Sequence, residues 1–143
     1  MTRVEFFLNV PDKLAKTAEL CEKAVEKGRQ LTIFTPDDAM SRALQQRLWQ
    51  QSTTGFLASN LSDDVMSQFS PIVLDTNGEN LVQDDVLINL QSGHPPFFSR
   101  FRYLVELVGD DEADKAAARV RFRFYKDRGY EVKTRNMAEQ QSL

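Results

Sequence analysis

Residues 3–34 read RVEFFLNVPDKLAKTAELCEKAVEKGRQLTIF, and this stretch decides the fold. Alternation and aromatic residues over Arg3–Leu8 are typical of a first strand. Pro11 then stands at a helix-start position, apolar residues recur at helical spacing, and Gly28 ends the run. The apolar run Leu31–Phe34 predicts a second strand. Because parallel neighbours need a helical crossover, this order predicts a parallel sheet with the first strand inside it.

Strands and helices continue to alternate along the rest of the chain. Thr35 is expected to cap a second helix that runs to about Trp49, and Gly109 opens a long last helix that Gly129 ends. Further strands are predicted at 56–58, 72–74, 86–90 and 102–108, and residues 130–134 form either a last short strand or a docked tail. We therefore expect a single-domain α/β fold over residues 1–135, with a mostly parallel sheet of five or six strands flanked by helices, and a frayed tail over residues 136–143.

The composition suits a soluble folded domain. The chain has 143 residues, of which 41% are hydrophobic and 27% are charged. Its apolar runs are far shorter than the roughly 20 residues that span a bilayer, and Glu5 interrupts the apolar stretch that a secretory signal would need. We expect a cytoplasmic protein with no membrane segment. The single cysteine, Cys21, lies in a helical pattern and is predicted to be a buried, inert thiol.

The sequence lacks the motifs that would make such a fold an enzyme. The turn at residues 9–12 has no glycine to let backbone amides approach a phosphate, and neither G-x-x-x-x-G-K-[ST] nor G-x-G-x-x-G occurs. The single histidine, His94, stands beside two prolines and is expected in a loop. Four aspartate pairs are interpreted mainly as helix caps rather than as a two-metal site: Asp37/Asp38, Asp63/Asp64, Asp84/Asp85 and Asp110/Asp111. We expect no catalytic site, metal or cofactor.

The last helix is strongly basic although the whole chain carries a net charge of −3. At about 100° per residue, one side of this helix is predicted to face the core: Ala113, Ala116, Ala117, Val120 and Phe124. The opposite side carries Lys115, Arg119, Phe122, Arg123 and Lys126. This side is either a solvated basic face whose phenylalanine lies under a neighbouring loop or tail, or a site for an anionic partner. That partner would be a short acidic peptide with a hydrophobic end or a nucleic-acid backbone.

A second candidate surface follows the second helix. Leu48 and Trp49 close that helix, and Phe56 and Leu57 follow seven residues later. Tryptophan is a common interface anchor, but at a helix end it is as often partly buried in its own domain. Both interpretations stay open.

Several segments, taken in order, resemble one known family. They are VEFFL at 4–8, L-x-x-x-LW at 44–49, FL-x-x-NL at 56–61, DVLINL at 85–90, and AR-x-RFR-x-YK-x-x-GY at 118–130. The set is similar to the chi subunits of the bacterial DNA polymerase III holoenzyme and covers about residues 1–135. The resemblance implies a non-catalytic accessory subunit of a polymerase complex, active in DNA replication as part of the clamp-loader assembly. It also implies a fold similar to nucleotide-binding helicase domains without their phosphate-binding loop.

The same resemblance implies two protein partners. One is the psi subunit of the clamp loader, facing Trp49, Phe56 and Leu57. The other is the acidic, phenylalanine-ended C-terminal tail of single-stranded DNA-binding protein, which by matching positions contacts Val108, Lys115, Arg119, Phe122 and Arg123. Family members can carry tyrosine and lysine at the last two of these positions. DNA would be contacted mostly indirectly. The alternative, which the basic helix permits, is a module that binds single-stranded nucleic acid directly.

Overall fold

Strands and helices alternate throughout the computed structural model, which describes residues 2–51, 59–61, 71–78, 81 and 83–137, with backbone alone at 49, 51 and 59–61. The elements are β1 (Arg3–Leu8), α1 (Lys13–Glu26), β2 (Leu31–Phe34), α2 (Asp38–Gln51), β3 (Ser59–Leu61), β4 (Ile72–Asp75), β5 (Val86–Asn89), β6 (Tyr103–Leu107), α3 (Glu112–Asp127) and β7 (Val132–Asn136). The expected strand at 56–58 lies outside the described residues.

The strands form one sheet in the order β3-β4-β2-β5-β6-β1-β7, and each neighbouring pair is parallel. The predicted α/β fold is therefore confirmed. The internal position of the first strand is confirmed as well, since β1 lies between β6 and β7. The expectation of five or six strands was too low. Residues 132–136 form a true parallel strand beside β1, which the sequence left undecided between a strand and a docked tail.

Helices cover both faces of the sheet, so the side chains of each strand divide between two cores. Phe7 of β1 belongs to the core beneath α1 and α2, together with Cys21 and Leu44. Phe6, on the other face, belongs to the core beneath α3, together with Tyr125. This alternation follows from the period of two in a strand. Cys21 is fully buried, as predicted, and burial raises the pKa of its thiol to about 12.

Aspartates cap the helices at their N-termini. Asp12 accepts a hydrogen bond from the Ala15 amide at 3.1 Å, and Asp111 accepts one from the Asp114 amide at 2.6 Å. Such caps satisfy amides that have no partner within the helix. Asp85 is no cap, because it forms a two-point ion pair with Arg29.

The prediction that Thr35 caps α2 was wrong. The Asp37 carboxylate caps this helix by accepting from the Met40 amide at 2.8 Å. The hydroxyl of Thr35 is instead buried against the Ser41 hydroxyl, 2.6 Å away. The predicted cap, Thr35, and the observed cap, Asp37, are two residues apart. Because the Thr35 side chain is buried at the end of β2, it does not cap the first turn of α2.

The predicted core face of α3 was also wrong, except at Phe124, which is half-buried against the core beneath α3. Ala113 and Ala116 are exposed, and Val120 has 71% of its surface accessible. The buried residues of α3 are Ala118, Arg121 and Tyr125. Burying alanine side chains removes little apolar area from water. The free energy gained by burying the large Tyr125 side chain is therefore greater than that from burying the alanine stripe.

The chain remains ordered slightly beyond the expected domain boundary at residue 135. Asn136 ends β7, and Met137 is buried against the core beneath α1 and α2. Residues 138–143 lie outside the described residues. Across the described ranges, no helix combines the length and the apolar character needed to cross a membrane.

Candidate functional site

A groove of about 620 Å³ opens between α3 and the strands beneath it. The strand side of this groove is formed by Phe6, Leu8, Asn9, Val108 and Thr134. The helix side is formed by Lys115, Ala118, Arg119, Phe122, Arg123 and Lys126. The structure thus brings together the five residues that the family resemblance assigned to tail binding. We call this cavity the α3 groove.

The floor of the α3 groove is apolar and buried. Phe6, Val108 and Ala118 are all buried and belong to the core beneath α3. Phe122 packs edge-on against Phe6, with ring centroids 5.5 Å apart and an interplanar angle of 62°. Phe122 therefore lies on the flank of α3 that turns towards the sheet, not on the side opposite the core as predicted. Its half-buried ring forms one wall of the groove.

Four cations of α3 line the helix side of this apolar floor. Lys115, Arg119 and Arg123 follow one another at successive turns of α3, and Nζ of Lys126 lies 5.8 Å from the centre of the Phe122 ring. Within the part of the chain that the structure describes, none of the four forms an ion pair, and none of the groove-lining residues is acidic. The groove therefore has an uncompensated positive rim that attracts anions.

A turn without glycine closes the end of the groove. Asn9 follows β1 with a positive φ of 57°, a conformation that asparagine tolerates better than most residues. Its side-chain amide donates to Oδ1 of Asn136 at 2.9 Å, which links the end of β1 to the end of β7. This link holds Leu8 and Asn9 in place at the groove.

A buried polar network sets the rotation of α3 above the sheet. Glu106 of β6 is fully buried and accepts from three side chains. Nε of Arg121 lies 3.0 Å from Oε1, the Tyr125 hydroxyl lies 2.5 Å from Oε2, and Nδ2 of Asn89 lies 3.0 Å from Oε1. Because Arg121 and Tyr125 must face Glu106, the next flank of the helix, with Arg119 and Phe122, faces the groove.

The electrostatics of this network follow from burial. Loss of water raises the pKa of the Glu106 carboxyl, against the opposing effects of Arg121, Tyr125 and Asn89. Burial and the Glu106 charge also raise the pKa of Tyr125. Arg121 is one of the basic residues of the last helix, yet it is buried and does not belong to the basic surface of that helix. The sequence does contain a signal for the burial of Arg121. Glu106 occupies an otherwise apolar, buried stretch of β6, and a buried acid requires a charged or hydrogen-bonding partner.

The far flank of α3 carries a ring stack. His94 lies parallel to Phe124, with centroids 3.7 Å apart, and Cζ of Arg128 lies 4.3 Å from the same ring. Burial lowers the pKa of His94, and the Arg128 charge lowers it further. His94 belongs to a loop, as predicted. The described residues contain no group of three or more histidine, cysteine or acidic side chains placed to hold a metal.

The second predicted surface lies largely outside the described residues. Residue 49 is in the last turn of α2, and its side chain is not described. Phe56 and Leu57 are outside the described ranges, as are Asp63 and Asp64. The assignment of Trp49, Phe56 and Leu57 to an interface stays a prediction.

Comparisons with known proteins identify the family. The sequence profile described as DNA polymerase III chi subunit, HolC, matches residues 1–133. DNA polymerase III subunit chi of Pseudomonas aeruginosa is 33% identical over 135 residues, which is 91% of this chain and 93% of the relative. The same subunit of Haemophilus influenzae is 32% identical over 111 residues, 77% of each chain. That of Escherichia coli is 25% identical over 128 residues, 86% of this chain and 87% of the relative. This chain belongs to the DNA polymerase III chi subunit family.

Proposed function

We propose that this chain is a non-catalytic adaptor of DNA replication. It would join the clamp loader of DNA polymerase III, through the psi subunit, to single-stranded DNA-binding protein. The observation that carries the proposal is the α3 groove, in which an apolar floor lies beside four cations that have no acidic partner in the described part of the chain. An acidic peptide that ends in phenylalanine offers the complementary chemistry.

The groove can bind the carboxylates and the terminal phenylalanine ring of such a peptide at the same time. Arg119 and Arg123 are four residues apart on α3, so their side chains can converge on one carboxylate, and the arginine fork suits two-point binding. Phe6, Val108 and Phe122 offer the apolar contact for the terminal ring. Lys115 and Lys126 add attraction at longer range.

The aromatic anchor is expected to dominate the affinity. Burying a phenylalanine side chain contributes about 1.5–3 kcal/mol, whereas an exposed ion pair contributes about 0–1 kcal/mol. The cations attract the acidic peptide towards the groove, and this attraction weakens as the salt concentration rises. A peptide that lacks only its last phenylalanine should therefore lose most of its binding, and the remaining affinity should fall further with salt.

The proposal is tested with three arginine substitutions that each remove one positive charge from α3 or its C-cap. Arg119→Ala and Arg123→Ala alter the groove, whereas Arg128→Ala alters the far flank, where Arg128 lies against Phe124. We expect each groove variant to bind the tail peptide about fivefold more weakly in a fluorescence anisotropy titration, the loss that corresponds to an exposed ion pair of about 1 kcal/mol. Arg128→Ala should bind like the unmodified protein.

The same titrations include a single-stranded oligonucleotide as a competing ligand. Equal losses of peptide binding in all three variants, together with tight oligonucleotide binding, would indicate diffuse electrostatics. That result would replace the adaptor by the nucleic-acid-binding alternative. The scarcity of rings beside the four cations favours the peptide, because single-stranded nucleic acid is bound by several stacking platforms.

We propose that the psi subunit binds the second candidate surface, which follows the second helix. Trp49, Phe56 and Leu57 supply apolar and aromatic groups of the kind that anchor protein interfaces. Support for this surface comes from the family and from the sequence pattern.

A further inference from the structure

Strand β7 is an open edge of the described sheet. It pairs with β1 on one side, and no described strand pairs with its other side. The Val4 amide donates to the carbonyl of Glu131 at 3.1 Å. In parallel pairing, backbone groups of alternate residues point to opposite sides. The amides and carbonyls of Val132 and Thr134 therefore point away from β1, and within the described residues they have no hydrogen-bond partner.

This open edge borders the α3 groove. Thr134 is exposed and lines the groove, and it is in register with Phe6, which forms the groove floor. Val132 packs at the margin of the core beneath α3. The unpaired backbone groups of β7 point outward in the plane of the sheet, beside the groove that the cationic flank of α3 lines from above.

The spacing of the cations matches that of an extended chain. Lys115, Arg119 and Arg123 are four residues apart, which is about 6 Å along a helix axis. Alternate side chains of a β-strand are about 6.6 Å apart. A strand laid against β7 would therefore present every second side chain to this row of cations.

We propose that the acidic peptide binds as an additional strand of the sheet, paired through its backbone with Val132 and Thr134 of β7. Its alternate acidic side chains face Lys115, Arg119 and Arg123, and its terminal ring occupies the apolar floor. This inference rests on the proposed function and adds the conformation of the ligand to it. Strand addition at a sheet edge is a general mode of peptide recognition, in which the backbone supplies affinity and alternate side chains supply specificity.

The test compares two substitutions of one residue. Thr134→Ala removes the side chain and keeps the amide, whereas Thr134→Pro also removes the outward amide and leaves the bonds to β1 intact, since edge strands tolerate proline there. We expect Thr134→Pro to bind a fluorescent acidic peptide ending in phenylalanine about tenfold more weakly than Thr134→Ala does, because only the proline variant lacks the outward amide. Circular dichroism verifies that both variants are folded.

The outcomes separate the two proposals. If the unmodified protein does not bind the peptide, the proposed function fails. If it binds and the proline and alanine variants bind equally well, the added strand alone is overturned.

A second experiment needs no variant of the protein. Single backbone amides of the peptide are methylated in turn, and each peptide is titrated against the unmodified chain. An added strand predicts strong losses at every second position, because only alternate amides face β7. Uniform tolerance along the peptide would overturn the inference. So would a dimer of the unmodified chain that Thr134→Pro separates while peptide affinity stays constant, since the edge would then pair with a second copy.

Discussion

At the scale of single residues, Glu106 places a buried acid beneath α3. Its carboxylate is fully buried, and it is balanced by the guanidinium of Arg121, which is itself buried. Removing one member of such a pair leaves a buried charge without compensation, which costs about 3–5 kcal/mol. The two residues therefore fix the position of α3 more than they add net stability.

Glu106→Gln tests this role with a side chain of the same shape. We expect the free energy of unfolding to fall by about 3–5 kcal/mol, because Arg121 would stay buried and unpaired. Urea denaturation followed by circular dichroism measures the change.

Glu19→Gln is the matched control for this substitution. Glu19 pairs with Lys23 at 3.0 Å on the exposed side of α1, and we expect a loss below about 1 kcal/mol. Equal losses in the two variants would show that the Glu106 network does not constrain the fold.

At the scale of elements, α3 carries one complete side of the groove. Its N-terminus starts with the Asp111 cap, and Lys115 lies one turn further on. The Asp114 carboxylate adds a second constraint, since it accepts from the Gly109 amide at 2.6 Å and pairs with Lys13 at 2.6 Å. The first turn of α3 is thus tied to α1 and to the loop that precedes it.

Loss of the cap should loosen this end of the helix. We expect Asp111→Ala to lower the free energy of unfolding by about 1 kcal/mol, within the range measured for N-cap substitutions. For a chain of this size, that corresponds to a decrease of about 3 °C in melting temperature. Differential scanning calorimetry measures the shift, and hydrogen exchange should be faster at the amides of the first turn.

Asp110→Ala provides the comparison for the cap. Asp110 is exposed and adjacent to the cap, and its substitution removes the same charge as Asp111→Ala. Its melting temperature should stay close to that of the unmodified protein. Identical shifts for both variants would assign the effect to general charge rather than to the cap.

At the scale of the whole molecule, α2, whose last turn contains residue 49, and the α3 groove belong to opposite layers. Leu44 and Leu48 of α2 pack into the core on one face of the sheet. The α3 groove opens above the other face. The rigid parallel sheet lies between them. Binding at one surface should therefore leave the other unchanged.

Trp49→Ala tests this independence. Truncating an aromatic anchor typically costs about 2 kcal/mol or more of binding, which is roughly a 30-fold loss of affinity for the psi subunit. Affinity for the tail peptide should stay within about twofold. Both are measured by isothermal titration calorimetry, with melting temperature as the check on folding. Loss of both activities with a lowered melting temperature would show that Trp49 is a core residue of its own domain.

Local sequence patterns predicted the strands of this fold well. The limits of β1 and β2 agree with the predicted stretches 3–8 and 31–34, because alternation and apolar runs are properties of neighbouring residues. Gly129 ends α3 with a positive φ of 85°, as its position indicated. The candidate residues of the α3 groove came from the basic helix and the family resemblance, and the structure brings them together.

The rotation of α3 could not be predicted from the helix alone. The stripe of alanines with Val120 appeared to be the core face, yet Val120 is 71% exposed and Arg121 is buried. The deciding contact is with Glu106, which lies on a different element. A periodicity calculation weighs each side chain by its own polarity and therefore treats a paired buried arginine as a surface residue.

Three features could be predicted from local patterns along the chain: the alternation of strands and helices, the parallel sheet and the concentration of positive charge on the last helix. The alternation and the charge are properties of residues close together along the chain, and the helical crossover between successive strands implies parallel pairing. Tertiary structure alone decided which flank of α3 faces the sheet, that Val132–Asn136 becomes an edge strand, and that the edge lies beside the cations. These features arise from contacts between distant residues such as Glu106 with Arg121 and Asn9 with Asn136, whose free energy exists only once the sheet has formed.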